Sequence, residues 1–255
     1  MTKTIKQLKR YARDAFELKA GMVIGASLTV FMIQIAASML ASVLFPGDDI
    51  LNIILGEIFA FGLTVLTCIF QAGMYYMYLC LSRGKESFYG QLLWFFKNGS
   101  DRVILASTVL ALISWITCLP STIYSYTAQE PTTQEELLHY YMVSFALLMA
   151  GFIVDTLITI PFRLTYYILA DDENIMSRAV LKKSCSMMKG HIGKFILLQL
   201  SFFPWFFISV FTFYIPMLYV LPYMELADVA FYRDLNGEYI FYHPPAVSEQ
   251  EDVIE

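Results

Sequence analysis

Charge is scarce in this chain, and where it occurs it is segregated. Asp, Glu, Lys and Arg make up 15% of the 255 residues while hydrophobic residues make up 58%, against roughly 45–50% in soluble proteins. A water-soluble fold this apolar could not cover its surface with polar groups, so the implied solvent is lipid. Cysteine is sparse too. Cys68, Cys80 and Cys118 lie in apolar runs and Cys185 in a basic stretch, spacings that fit neither a disulfide framework nor a zinc site, so they read as small buried hydrophobes. The histidines, His139, His191 and His243, share no ligand spacing. No Walker loop, nucleophile elbow or paired His-Glu motif is present. We therefore expect no enzyme, no catalytic residue, no metal and no cofactor. The basic N-terminus leads into an apolar run of 26 residues, too long for a signal-peptide core.

Long apolar runs are what the chain does have. A helix needs about 20 apolar residues to cross the hydrocarbon. Ala20–Phe45, Ile50–Leu81, Val103–Tyr126 and Leu137–Leu169 qualify. The second and fourth would measure about 48 Å as straight helices, so they tilt, kink or project, and Pro161 is the natural kink point in the fourth. A last region, Phe195–Tyr232, is too long for one crossing, and Pro216 divides it into Phe195–Phe213 and Met217–Tyr232. The expected fold is all-α, with six transmembrane helices arranged as three hairpins.

Basic residues set the orientation. Six precede the first helix, four surround the second junction (Arg83, Lys85, Lys97, Arg102), six run from Arg163 to Lys194, and Arg233 follows the last helix. All 17 fall on one side of a six-helix topology, the cytoplasmic side by the positive-inside rule. We expect a multi-pass plasma-membrane protein with both termini in the cytoplasm. The loop PGDD, the segment TAQEPTTQEE (127–136) and the Tyr214–Pro216 turn hold no basic residue.

Before each outward helix a short amphipathic stretch ends at lysine and glycine: FELKAGMVIGAS, WFFKNGSDRVILAS and SMMKGHIGKFILLQL. Ile5, Leu8, Ala12, Ala15 and Phe16 form an apolar stripe opposite Lys6, Arg10, Arg13 and Glu17. Arg178, Lys182, Ser186 and Lys189 share one face, and Met176, Ala179, Val180 and Met187 another. These read as cytoplasmic interfacial helices, with Lys19, Lys97, Arg178, Lys182, Lys189 and Lys194 directed at anionic lipid headgroups. Because the membrane accounts for the basic residues, nucleic-acid binding is not expected. The unit repeats approximately as 1–82, 83–173 and 174–240 within one membrane domain, 1–240. Each return helix ends in tyrosines: Tyr75, Tyr76 and Tyr78; Tyr166 and Tyr167; Tyr223 and Tyr232. Residues 241–255 read as an acidic disordered tail.

SMMKGHIGKFILLQLSFFPW and LPYMELADVAFYRDL resemble the C-terminal half of an uncharacterised bacterial membrane-protein family, domain of unknown function 975. The likeness is sharpest at Lys189-Gly190, Leu197–Ser201, Pro222-Tyr223 and Ala230-Phe231-Tyr232 with Leu235. The layout is also similar to the membrane domain attached to some bacterial glycerophosphodiester phosphodiesterases. Neither resemblance implies an activity, and Glu225 and Asp228 stand where small or neutral residues would be expected.

Ionisable residues within apolar segments are costly and need a partner or a cavity. They are Glu57, Asp155, Arg163, Glu225 and Asp228. One reading pairs Arg163 with Glu225 or Asp228 to fix helix packing; the other gathers all five around a cavity for a cationic or protonatable ligand. Asp171-Asp172-Glu173 reads as helix capping, and Gly21-x3-Gly25 as a small-residue packing motif. Two functions follow: a non-catalytic module organising lipids or a protein partner, favoured by the absence of catalytic constellations, or a transporter or ligand-binding protein using the intramembrane acids.

Overall fold

The computed structural model describes residues 3–47, 49–128 and 133–238; the tail at 241–255 lies outside them. Among the described residues the regular structure is helical. It comprises α1 (Ile5–Leu18), α2 (Ala20–Leu44), α3 (Ile50–Ser82), α4 (Trp94–Lys97), α5 (Ser100–Thr127), α6 (Gln134–Thr159), α7 (Thr165–Asp171), α8 (Ser177–Met188), α9 (Ile192–Leu200), α10 (Phe203–Phe211) and α11 (Met217–Leu235). A five-residue 3₁₀ turn, Tyr89–Leu93, precedes α4.

Five stretches are long and apolar enough to cross a membrane: Ala20–Leu44, Ile50–Ser82, Ser100–Thr127, Gln134–Asp171 and Ile192–Phe211. The sixth expected crossing, α11, is not among them. Its 19 residues include Glu225, Asp228, Arg233 and Asp234, and that charge removes it from the apolar class. Instead α11 is enclosed by protein, with Val220, Leu226, Val229, Phe231 and Tyr232 all in the core. The break before it falls at residues 212–216, where Phe213 and Tyr214 take positive φ. Pro161 interrupts the fourth run as its missing N–H requires, leaving a 3₁₀ turn at Ile160–Phe162 between α6 and α7.

Burial is concentrated at the end of the bundle that carries the basic residues. The buried part of α3 begins at Val65 and runs to Leu81, while α6 buries no residue at all. Tyrosines from the ends of the return helices, Tyr75, Tyr78, Tyr167 and Tyr232, help build this core. Tyr75 lies 5.1 Å from Tyr167, which stacks on Tyr232 at 5.6 Å, so aromatic contacts join α3, α7 and α11. Tyr78 donates to the Val23 carbonyl at 2.9 Å and hydrogen-bonds Ser27 at 2.5 Å, which fastens α3 to α2. Such buried hydroxyls would cost free energy if left unpaired.

The three junctions differ from one another. In α1 Leu8, Ala12, Ala15 and Phe16 are buried, and α11 covers much of that side: Phe16 meets Tyr219 edge-on at 4.5 Å and Tyr223 donates to the Lys9 carbonyl at 3.0 Å. The middle junction is a 3₁₀ turn and one helical turn, with Phe88, Tyr89, Leu93 and Phe96 exposed. It crosses close to α3, where a Cβ on Gly73 would collide with the Leu92 backbone. In α8 the buried face is Ser177, Val180, Ser184 and Met188, rotated from the expected one; Met176 is exposed. Serine is buried there because Ser177 donates to the Arg102 carbonyl at 3.0 Å and Ser184 to the Pro161 carbonyl at 2.8 Å. Gly99 and Gly190 take positive φ, as expected of turn glycines. At the first junction the break falls at Lys19, and Gly21 is already helical. Gly21 and Gly25 receive the Tyr89 side chain and not another helix.

Candidate functional site

Arg163 follows the Pro161 break and lies between α9 and α11. Its Nη2 donates to Glu225 Oε1 at 3.0 Å and its Nε to Asp228 Oδ2 at 3.2 Å. Gln199 on α9 completes Asp228 by donating to Oδ1 at 2.6 Å. Glu225 and Asp228 are three residues apart, so α11 presents both on one face. Asp228 is 0% exposed, whereas 37% of the Arg163 side chain is accessible. Glu225 Oε2 and the Tyr167 hydroxyl are buried with no hydrogen-bond partner among the described residues. With every group ionised the triad carries one negative charge more than its guanidinium neutralises.

The accessible edge of Arg163 faces a cavity of about 510 Å³ whose walls include Gln71 and Tyr75 of α3, Asp155 and Thr159 of α6, Tyr166 of α7 and Gln199 of α9. A neighbouring cavity of about 440 Å³ is lined by Glu57, Thr64, Ser107 and Trp115. Leu110, Ser114 and Tyr166 border both, so the two are halves of one groove between α3, α5 and α6. Its polar residues recur at helical spacing: Glu57, Thr64 and Gln71 at every seventh position of α3, Ser107 and Ser114 likewise on α5, and Asp155, Thr159 and Arg163 at every fourth. From Glu57 to Gln71 the stripe covers about 21 Å of helix. Along it Trp115 Nε1 donates to Glu57 at 3.3 Å and Thr117 Oγ1 to Asp155 at 3.3 Å. Each of these acids has one neutral donor and no cation on it among the described residues.

The five ionisable residues singled out in the sequence fall into two groups. Arg163, Glu225 and Asp228 pair. Asp155 shares the Arg163 cavity, and Glu57 sits in its extension. What the sequence did not reveal is a second charged network at the ends of α3, α7 and α11. Arg83 donates to both oxygens of Asp171, at 2.6 and 2.9 Å, and also to Glu238. Arg233 donates to Glu238 at 2.8 Å and to the Ser82 hydroxyl at 2.9 Å, and the Tyr232 hydroxyl donates to Asp171 at 2.8 Å. Asp171, the last residue of α7, is thus an ion-pair partner and not the helix cap expected of residues 171–173, since the N-cap of α8 is Met176, without a side-chain cap. Burial alone would raise the Glu238 carboxyl, but hydrogen bonds from Arg83, Arg233 and Asn236 outweigh it and hold the group at about 2. The same carboxylates raise Arg83 against its desolvation.

The basic residues expected at headgroups divide similarly. Lys97, Arg178, Lys182 and Lys189 are exposed. Lys19 is tied to the Ser87 carbonyl at 3.0 Å and Lys194 pairs with Asp234 at 2.8 Å, because the loop before Tyr89 passes beside Lys19 and the end of α11 beside Lys194.

The apolar helices and the ion triad set among them define a multi-pass membrane protein. A family model described as "Protein of unknown function (DUF975)" matches residues 1–238, nearly the whole chain, and the protein belongs to that family. No curated protein and no solved structure matches it, and the likeness of layout to the phosphodiesterase membrane domains gains no support.

Proposed function

We propose that the protein binds, and carries or senses, a small cationic or protonatable ligand within the membrane. The observation that carries this is the groove. Three of the five intramembrane charges, Glu57, Asp155 and Arg163, line it, the other two pair with Arg163, and its two carboxylates outside the triad, Glu57 and Asp155, have only neutral donors. An uncompensated carboxylate in an apolar segment is expensive to maintain, and a bound cation would repay that cost. Asp155 would hold the cation, Tyr75, Tyr166 and Thr159 would complete its polar shell, and Glu225 and Asp228 would hold Arg163 at one end. In this reading the basic end of the bundle faces the cytoplasm and α1, the Tyr89–Lys97 segment and α8 lie near that face, in keeping with the positions of all 17 basic residues.

The test is binding of tetraphenylphosphonium, a lipophilic cation of suitable size, to the detergent-extracted protein. Native mass spectrometry of the same preparation would look for a co-purifying small cation. Saturable binding by wild type that is lost in Asp155→Asn supports the reading. Equal binding by wild type, Asp155→Asn and Glu57→Gln, or none by any of them, counts against it.

A second reading is a non-catalytic module that organises lipids or a protein partner. It is favoured by α6, which leaves Phe145, Phe152, Ile153 and Leu157 exposed and packs chiefly on α5. A protein partner retained in native mass spectra by both wild type and Asp155→Asn would favour it.

A further inference from the structure

The basic face of α1 forms a second candidate site, independent of the groove. Helix α1 is fixed in rotation by its surroundings. Its apolar stripe is buried, a capping box between Thr4 and Gln7 closes its first turn, and the Lys3 backbone N–H donates to Asp234. Lys9 turns inward, donating to the Ser201 carbonyl at 3.1 Å with its ammonium 4.1 Å from the Phe202 ring centre. Burial lowers the pKa of that ammonium; Lys9 also borders the concavity that Lys6, Arg10 and Arg13 line, with its ammonium held at Ser201.

Lys6, Arg10 and Arg13 remain directed outward. Spacings of four and three place them on one face, within about 10 Å along the axis. With Thr4, Gln7 and Tyr223 they line a concavity of about 570 Å³ that has no carboxylate in its walls. The one ion pair shown for these three is Arg13 with Glu17 at 3.7 Å, exposed on both sides and worth little. Arg83, Arg163, Lys194 and Arg233 each hold a carboxylate within 3.2 Å, and the exposed Lys97, Arg178, Lys182 and Lys189 stand outside this concavity. In α1, three outward cations instead share one concavity on a helix fixed in rotation, seven residues or more before the apolar helix α2 begins.

We propose that this cradle binds the phosphate of an anionic phospholipid headgroup. Arg10 and Arg13 would supply forked donors to the phosphate oxygens and Lys6 a point charge. The Tyr223 ring would give the glycerol end an apolar floor. Thr4 and Gln7 are committed to the capping box, so the three cations carry the recognition.

The experiment is native mass spectrometry of full-length protein titrated with phosphatidylglycerol or phosphatidylcholine in detergent, comparing wild type with Lys6→Gln/Arg10→Gln/Arg13→Gln. The control triple is Lys85→Gln/Lys183→Gln/Asn174→Asp, which lowers the net charge by the same three units at positions not assigned to headgroup contact. The expected result is preferential phosphatidylglycerol binding, weakened about tenfold or more in the α1 triple, since each basic residue near an anionic surface contributes about 1 kcal/mol, and unchanged in the control. Equal weakening in both triples, or in neither, overturns the proposal. Competition by millimolar inorganic phosphate would assign the cradle to free phosphate and not to lipid, leaving the chemistry but overturning the source. If the α1 triple does not fold, Arg10→Gln alone, on an exposed position, gives the same comparison with a smaller loss.

Discussion

Replacing Arg163 by glutamine would remove the cation from between two carboxylates. At 3.0 and 3.2 Å each pair attracts by about 5 kcal/mol at an effective dielectric constant near 20. Dehydration of the three groups and repulsion between Glu225 and Asp228 cancel much of this, so the intact triad adds little net stability. Removing one member is different, because Asp228 is 0% exposed and its remaining donor is neutral Gln199. We expect Arg163→Gln to destabilise the protein by about 3–5 kcal/mol, the usual result of breaking a buried pair. Asp228→Asn should cost less, about 1–2 kcal/mol, because Glu225 still neutralises Arg163 and the amide can keep a hydrogen bond. The double variant should then be more stable than the sum of the two losses implies, with a coupling of about 1–3 kcal/mol. The assay is reversible unfolding in mixed micelles by increasing sodium dodecyl sulfate, followed by tryptophan fluorescence, with Lys97→Gln as an exposed control. Additivity within about 0.5 kcal/mol would refute the pairing and return Asp228 to a role independent of Arg163.

Three further outcomes follow from the same geometry. Gly73→Ala should destabilise by more than about 1 kcal/mol in the same assay, since its methyl group would strike the Leu92 backbone; a neutral result would mean that the Tyr89–Lys97 segment does not cross α3 there. Tyr232→Phe should cost about 1–2 kcal/mol by removing the donor to Asp171, and an unchanged unfolding midpoint would show that Arg83 alone satisfies that carboxylate. Glu238 is held at about 2, below its ordinary 4.5. A depressed carboxyl contributes stability that is complete above its unfolded value and lost as pH falls through its folded one. The gap in melting temperature between wild type and Glu238→Gln should thus be constant above about pH 5 and close between 4.5 and 2. A gap that widens on acidification would contradict the network.

The features legible in the sequence were those with a single physical solution. Apolar runs of more than 20 residues have to be helices in lipid and an arginine in such a run has to find a carboxylate; Pro161 marked a break, although Pro120 and Pro222 lie inside α5 and α11. The stripe of α1 was readable for the same reason, although its partner was not, because α11 lies more than 200 residues further along. Arg83, Asp171, Arg233 and Glu238 escaped notice because each had a sufficient local explanation: flanking basic residues, a helix cap, the edge of an acidic tail. Their meeting depends on three helix ends arriving at one point, and periodicity carries no signal for that. In α8, serines at 177 and 184 read as polar and hence outward, but neighbouring carbonyls made burial affordable. Glu57 and Asp155 were recognisable as costly, yet only the packing of α5 between α3 and α6 sets them along one groove.

The pairing of α1 with α11 also constrains when the molecule can become whole. Helix α1 buries its stripe against α11, and Lys3 reaches Asp234, 231 positions along the chain. Until α11 is delivered, Leu8, Ala12 and Phe16 have no such cover, and Arg163 must wait beside an unfilled gap for Glu225 and Asp228. Contacts so distant in sequence are slow to form and leave apolar surface open meanwhile. Assembly therefore closes like a drawstring, α1 and α11 tightened together, and a chain cut before Tyr219 would keep its long apolar helices but lose the packed end that gives them a fixed arrangement.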